Sequence, residues 1–189
     1  FKQTLNIKPG YSDTYGNIGN CYLYLKKTQS AIKYFNEALK HNKENFFAYN
    51  GLGSVYKEMN KDDESIYYYQ EAVKVKPDYL IAYDNLGASL SATDKLKEAK
   101  KVFEKILELD PNYKYIIGKL IFTKMMLYDW SNLDNGKNNL IELLNKKKRA
   151  INPFPLLSLI DNPEHHKNCA EIFVSDKYKD PELKIKKYL

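Results

Sequence analysis

The sequence predicts an all-α protein, a solenoid of paired antiparallel helices closed by a degenerate C-terminal cap and a short helical and extended extension. Three observations lead there. Large apolar and small residues recur every 34 residues. Each period divides into two stripes at helical spacing. After about residue 113 the pattern decays, and three prolines break an apolar run, AINPFPLLSLIDNP, over residues 150–163.

The best copy of the unit runs from Ala82 to Pro111. Its first helix carries Tyr83, Leu86, Gly87 and Leu90, and its second carries Ala99, Phe103, Ile106 and Leu109. The same residue types stand one and two periods earlier. Tyr15, Tyr49 and Tyr83 open the first helices; Ile18, Leu52 and Leu86 follow, each beside Gly19, Gly53 or Gly87. Tyr22, Tyr56 and Leu90 complete the stripe. In the second helices Ala31, Ser65 and Ala99 align, then Phe35, Tyr69 and Phe103, then Ala38, Ala72 and Ile106. Gly and Ala mark places where two helices cross closely, and a larger side chain there overpacks by roughly 1–3 kcal/mol. Pro9, Pro77 and Pro111 close units because proline cannot continue a helix; Lys43 replaces the proline once.

The expected boundaries follow. Residues 1–11 end a preceding unit; 12–45, 46–79 and 80–113 are full units. Residues 114–149 form degenerate capping helices, in which Ile117 and Leu120 keep register but Ile121 and Lys124 stand where Gly and an aromatic are expected. The close small-residue contact is expected to be lost there. Residues 150–189 read as a proline-interrupted linker and a helix leading toward a further domain. In that helix Asp161 or Asn162 can cap, Pro163 suits the first turn, and Cys169, Ile172 and Phe173 share a side.

Composition sets the limits. Hydrophobic residues make up 43% and charged residues 29%, a globular balance with no apolar run long enough to span a bilayer. Net charge is +6, almost all from lysine, with Arg149 the lone arginine; this argues against a nucleic-acid reader, which uses arginine forks. Lys146, Lys147, Lys148 and Arg149 end a helix and are expected to complement its dipole in solvent. Cys21 and Cys169 lie far apart without a CxxC pair, pointing to reduced thiols and a cytoplasmic location. Cys21, within a repeat helix, is expected in the core. Adjacent histidines point about 100 degrees apart on a helix, so His165, His166 and Cys169 make a poor metal site. The sequence shows no catalytic constellation, no Gly-rich phosphate loop and no cofactor motif.

The period and its large-then-Gly and small-then-aromatic steps resemble the tetratricopeptide (TPR) repeat over residues 1 to about 113. The resemblance implies that the first helices line a concave groove that holds protein or peptide segments. Candidate groove residues are Asn17, Asn20, Asn50 and Asn85, with Asp84, Tyr24, Lys57 and Phe47 beside them. An inward asparagine donates and accepts toward a peptide backbone without reading side chains; equally, it can hold helix to helix. The clamp by which chaperone-binding members grip a C-terminal carboxylate needs cations, and the matching positions are Gly16, Asn20, Gly51, Ile81 and Asn85. A carboxylate clamp is therefore not expected.

A second resemblance covers roughly residues 114–180. Tyr128-Asp129-Trp130-Ser131, Asn152-Pro153-Phe154-Pro155-Leu156-Leu157, Asp161-Asn162-Pro163-Glu164 and Lys177-Tyr178 are similar to the junction in bacterial O-GlcNAc transferase-like proteins of glycosyltransferase family 41. It implies a substrate-presenting superhelix, with an asparagine ladder, ahead of a UDP-sugar-dependent catalytic domain. Pro153-Phe154-Pro155 stands where some members carry a histidine-rich stretch, so no catalytic histidine is carried over. The alternative is a TPR adaptor without an attached enzyme; a nucleic-acid-binding repeat is a weaker third reading.

Overall fold

The computed structural model describes residues 12–178. Among them are ten helices: α1 (Ser12–Tyr24), α2 (Thr28–His41), α3 (Phe46–Glu58), α4 (Asp62–Val75), α5 (Leu80–Ala92), α6 (Leu96–Leu109), α7 (Ile116–Met126), α8 (Leu133–Asn145), α9 (Pro153–Leu157) and α10 (Pro163–Lys177). The expected partial unit at residues 1–11 and the end of the extension lie outside the described residues. The chain divides into two compact units between Leu109 and Asp110.

In the first unit, α1–α2, α3–α4 and α5–α6 pack as antiparallel pairs, and each pair packs on the next. One backbone device makes the turn inside each pair. Lys26, Asn60 and Asp94 take left-handed conformations, and the following amides, Lys27, Lys61 and Lys95, each donate 2.9 Å to the carbonyls of Tyr22, Tyr56 and Leu90. These bonds satisfy carbonyls that a helix end would otherwise leave open. The glycines explain how closely the pairs approach. A Cβ on Gly19 would lie 2.8 Å from the Phe35 ring, one on Gly53 2.6 Å from Tyr69, and one on Gly87 2.3 Å from Phe103. Each aromatic fills the gap its glycine leaves, and all three are buried. Phe35 also reaches the next repeat, where a Cβ on Gly51 would come within 2.2 Å of it. Lys43 can stand in for proline because Asn42 accepts from the Glu44 amide and Asn45 caps α3, so the turn is set by asparagine side chains.

The second unit has its own core: Ile121, Leu140, Leu144, Ala150, Ile151, Leu156, Leu159, Ile160, Cys169 and Ile172. Its first turn repeats the device above. Tyr128 is left-handed, 34 residues after Asp94, and the Asp129 amide donates 2.9 Å to the Lys124 carbonyl. The small-residue contact has not vanished, as expected from sequence, but has changed helix. A Cβ on Gly136 of α8 would lie 3.1 Å from Ile121 of α7. Gly118 meets Ile151 more tightly still: a Cβ there would lie 2.5 Å from Ile151 Cγ1 and 2.8 Å from its backbone Cα.

Three further expectations need correction. Residues 150–160 are more than a linker: Ala150, Ile151, Leu156, Leu159 and Ile160 are buried in one core with Ile121 of α7, Leu140 and Leu144 of α8, and Cys169 and Ile172 of α10. The basic end of α8 does more than face solvent. Lys147 Nζ donates 2.7 Å to Asn168 Oδ1, and Arg149 pairs with Asp176, so both tie α8 to α10. Cys21 is exposed, since its place in α1 turns away from α2, whereas Cys169 is buried. Asn162 caps α10, accepting from the Glu164 and His165 amides, with Pro163 in the first turn.

Candidate functional site: the groove of the first helices

In the first unit, α1 touches α3 and α3 touches α5, while each second helix packs on the first helix that follows it. First helices crowd one another, which puts them on the inner side of the curve. Residues on their outward stripe therefore share one face.

Gly16, one of the positions matching the carboxylate clamp, lies against the Phe47 ring: a Cβ there would be 3.2 Å from Phe47 Cδ1. Gly51 is occupied from behind by Phe35, so no longer side chain fits. Ile81 is 53% exposed and offers only hydrocarbon. The clamp cations are absent from these positions, and Gly51 is sterically committed.

Of the asparagines, the structure brings Asn50 and Asn85 together. Asn85 Nδ2 donates 3.0 Å to Asn50 Oδ1, bridging α3 and α5. This bond uses one donor and one acceptor of four hydrogen-bonding groups. It leaves the Asn50 amide donor and the Asn85 side-chain carbonyl outside the bond, on two half-buried residues. Behind them the Asn50 carbonyl accepts from Ser54 Oγ at 3.1 Å, and Ser54 Oγ lies 3.2 Å from the Tyr69 hydroxyl. Burial raises the Tyr69 hydroxyl above its ordinary pKa, so it stays protonated and available for that bond.

The remaining candidates stand differently. Asn17 is half-buried on α1, while Asn20 and Tyr24 are exposed farther along it. Asp84 is half-buried on α5 beside Asn85. Lys57 Nζ donates 2.7 Å to Asp62 in its own repeat, so its charge is already engaged.

Sequence reasoning missed Asn45. It is 4% exposed, caps α3 by accepting 2.8 Å from the Ala48 amide, and donates to Ser12 Oγ at 2.8 Å and Asp13 Oδ1 at 3.3 Å. Ser12 in turn donates to the Ala38 carbonyl. This buried polar chain fixes the first two repeats at the groove's edge. Its signal in the sequence was faint, because Tyr79 and Tyr113 occupy the equivalent places in the next repeats.

Among the described residues no cluster of histidine, cysteine and carboxylates could hold a metal, and no helix is long and apolar enough to cross a membrane. His166 is bonded through its ring to the Ile160 carbonyl.

Family models described as tetratricopeptide repeat match residues 12–45, 48–79 and 81–113. None of the curated proteins matches the chain. Among solved structures, the first TPR of Spaghetti (RPAP3) bound to the HSP90 peptide SRMEEVD aligns with a TM-score of 0.59 and 27% identity, over 62% of this chain and 96% of that one. The second TPR domain of human RPAP3, in complex with the HSP70 peptide SGPTIEEVD, aligns with a TM-score of 0.56 and 23% identity, over 60% and 95%. YrrB, a TPR protein with an unusual peptide-binding site, gives 0.58 and 22%, over 72% and 73%. The last two likenesses speak for the fold alone. The 34-residue period, the glycine–aromatic contacts and three successive family matches agree, and the chain belongs to the tetratricopeptide-repeat proteins.

Proposed function

We propose that the first unit is a peptide-binding adaptor module, holding an extended segment of a partner protein along α1, α3 and α5. The observation that carries this is the Asn50–Asn85 bridge, whose remaining donor and acceptor can match one peptide group. Asn17, Asn20, Tyr24, Asp84 and Phe47 flank it, and Lys57, engaged with Asp62, borders it. The RPAP3 domains carry peptides ending in EVD. This groove lacks the cations for such an end, so it takes an internal segment with no need of a terminal carboxylate. Two unbonded cysteines support a reducing, cytoplasmic setting.

The finer reading, that the module presents substrates to a glycosyltransferase catalytic domain, rests on the resemblance of residues 128–131, 152–157, 161–164 and 177–178 alone. In it, residues 114–149 act as a degenerate capping repeat, a role favoured by the Tyr128 turn falling on the 34-residue register.

The test is selection of peptides from a random display library on the full chain, followed by amide chemical-shift mapping. Shifts concentrated on α1, α3 and α5 are expected. Shifts concentrated on α2, α4 and α6, or selected peptides that lose binding on C-terminal amidation, would overturn the proposal.

A further inference from the structure

We propose that the second unit carries an anion site, independent of the peptide groove, that takes a phosphoryl group. A cavity of about 290 Å³ lies between residues 111–114, ahead of α7, and residues 147–150, after α8. Its walls carry Lys114, Lys147, Lys148 and Arg149, and among the described residues no carboxylate lines it. Ile117, Leu143 and Ala150 make an apolar floor. Four cations around one hollow repel one another, so the arrangement is costly unless something holds it or a counter-charge fills it.

Part of the holding is visible. The Tyr115 amide donates to the Arg149 carbonyl, and the Gly118 amide donates 3.0 Å to the Ala150 carbonyl, so the two walls are pinned by backbone bonds. Lys147 takes a left-handed conformation and its ammonium rests on the neutral Asn168 carboxamide, which orients it without cancelling its charge. Arg149 is steadied by Asp176, which also accepts 2.9 Å from the Tyr115 hydroxyl. Asp176 and Glu171 line a neighbouring hollow of about 420 Å³ that shares Lys147 and Arg149. Asp176 offsets Arg149 and is also acted on by Lys114, while the Lys147 and Lys148 charges stay uncancelled, so the first cavity keeps an excess of positive charge. A compact group with two negative charges and several acceptor oxygens meets that need: lysine serves phosphate as a point charge and arginine as a fork. A terminal carboxylate brings half the charge and fewer acceptors.

The probes are pyrophosphate, as a free phosphoryl anion, and a phosphoserine peptide, as a protein-borne one. Each is titrated into the full chain at low salt and followed by amide chemical shifts. Saturable binding with shifts centred on Lys114, Ile117 and residues 147–150 is expected. The double variant K114E/K148E, both exposed positions, is expected to weaken it at least tenfold, while K101E on α6 leaves it unchanged. A phosphoserine peptide binding more tightly than pyrophosphate, with the same variant dependence, assigns the source to a partner protein; equal affinity assigns it to a free anion. Non-saturable binding, shifts spread over the lysine surface, or equal loss in K101E and K114E/K148E would overturn the site. Peptide selection by the groove is unaffected by either result, so the two proposals fail separately.

Discussion

Asn45 shows how much one side chain can connect. It satisfies an orphan amide at the start of α3 and joins Ser12 and Asp13 of the preceding repeat from a buried position. Replacing it by alanine removes the cap and leaves the Ser12 hydroxyl short of a donor. We expect N45A to lose about 1–2 kcal/mol in urea denaturation. Tyr128 makes the opposite case. It holds φ 55 and is 83% exposed, where the matching turns use Lys26, Asn60 and Asp94. A left-handed tyrosine costs on the order of 1 kcal/mol more than asparagine there. Tyr128→Asn should therefore raise the thermal midpoint of the second unit, and a fall would show that the tyrosine is held by contacts rather than tolerated.

At the scale of helices, the glycine contacts set the repeat geometry. Gly51 faces Phe35 across a repeat boundary with no room for a methyl group. Gly51→Ala must move that ring or separate α3 from α2, and is expected to cost about 1–3 kcal/mol by thermal denaturation. Helix α10 brings a titratable lock to the second unit. Burial pushes the Cys169 thiol from 9.0 up to about 11, and burial with the Asp176 bond pushes Tyr115 from 10.0 up to about 12. Both pKa values are raised on folding, so the stability they represent is complete below pH 9 and is lost as pH climbs. Between pH 9 and 10 Cys169 should contribute a fall of about 1 kcal/mol, with Tyr115 adding a smaller part because its unfolded-state value is 10.0. Fluorescence of Trp130, the single tryptophan, reports that unit, and Cys169→Ala should flatten the slope across that interval. The Arg149 contact holds the Asp176 carboxyl below its ordinary range, so that part of the lock is lost in the other direction, as pH falls.

Over the whole chain, what could be read from sequence was whatever each repeat solves in the same way. The glycine–aromatic pairs and the turns recur every 34 residues because the same packing problem recurs, and period alone exposes them. The groove was legible as a face but not as a site. The asparagine bond joins Asn50 to Asn85, 35 residues apart, so it falls between the aligned columns and no row of equivalent positions reveals it. Gly51 looked like a gap in an asparagine row; it is a socket for Phe35. The second unit was the least legible, because Gly136 took over on α8 the role that glycine has on the first helices. The apolar residues between its prolines gave no period by which to foresee their burial.

The most direct test is the affinity of a library-selected peptide for the native chain and for N50A/N85A, measured by fluorescence anisotropy at equal salt. Alanine at both positions removes the remaining donor and acceptor while leaving the glycine–aromatic core intact. Two hydrogen bonds of about 0.5–1.5 kcal/mol each predict roughly a tenfold or greater rise in Kd. An unchanged Kd in a variant whose thermal midpoint is also unchanged would contradict a groove that reads peptide backbone through these two asparagines.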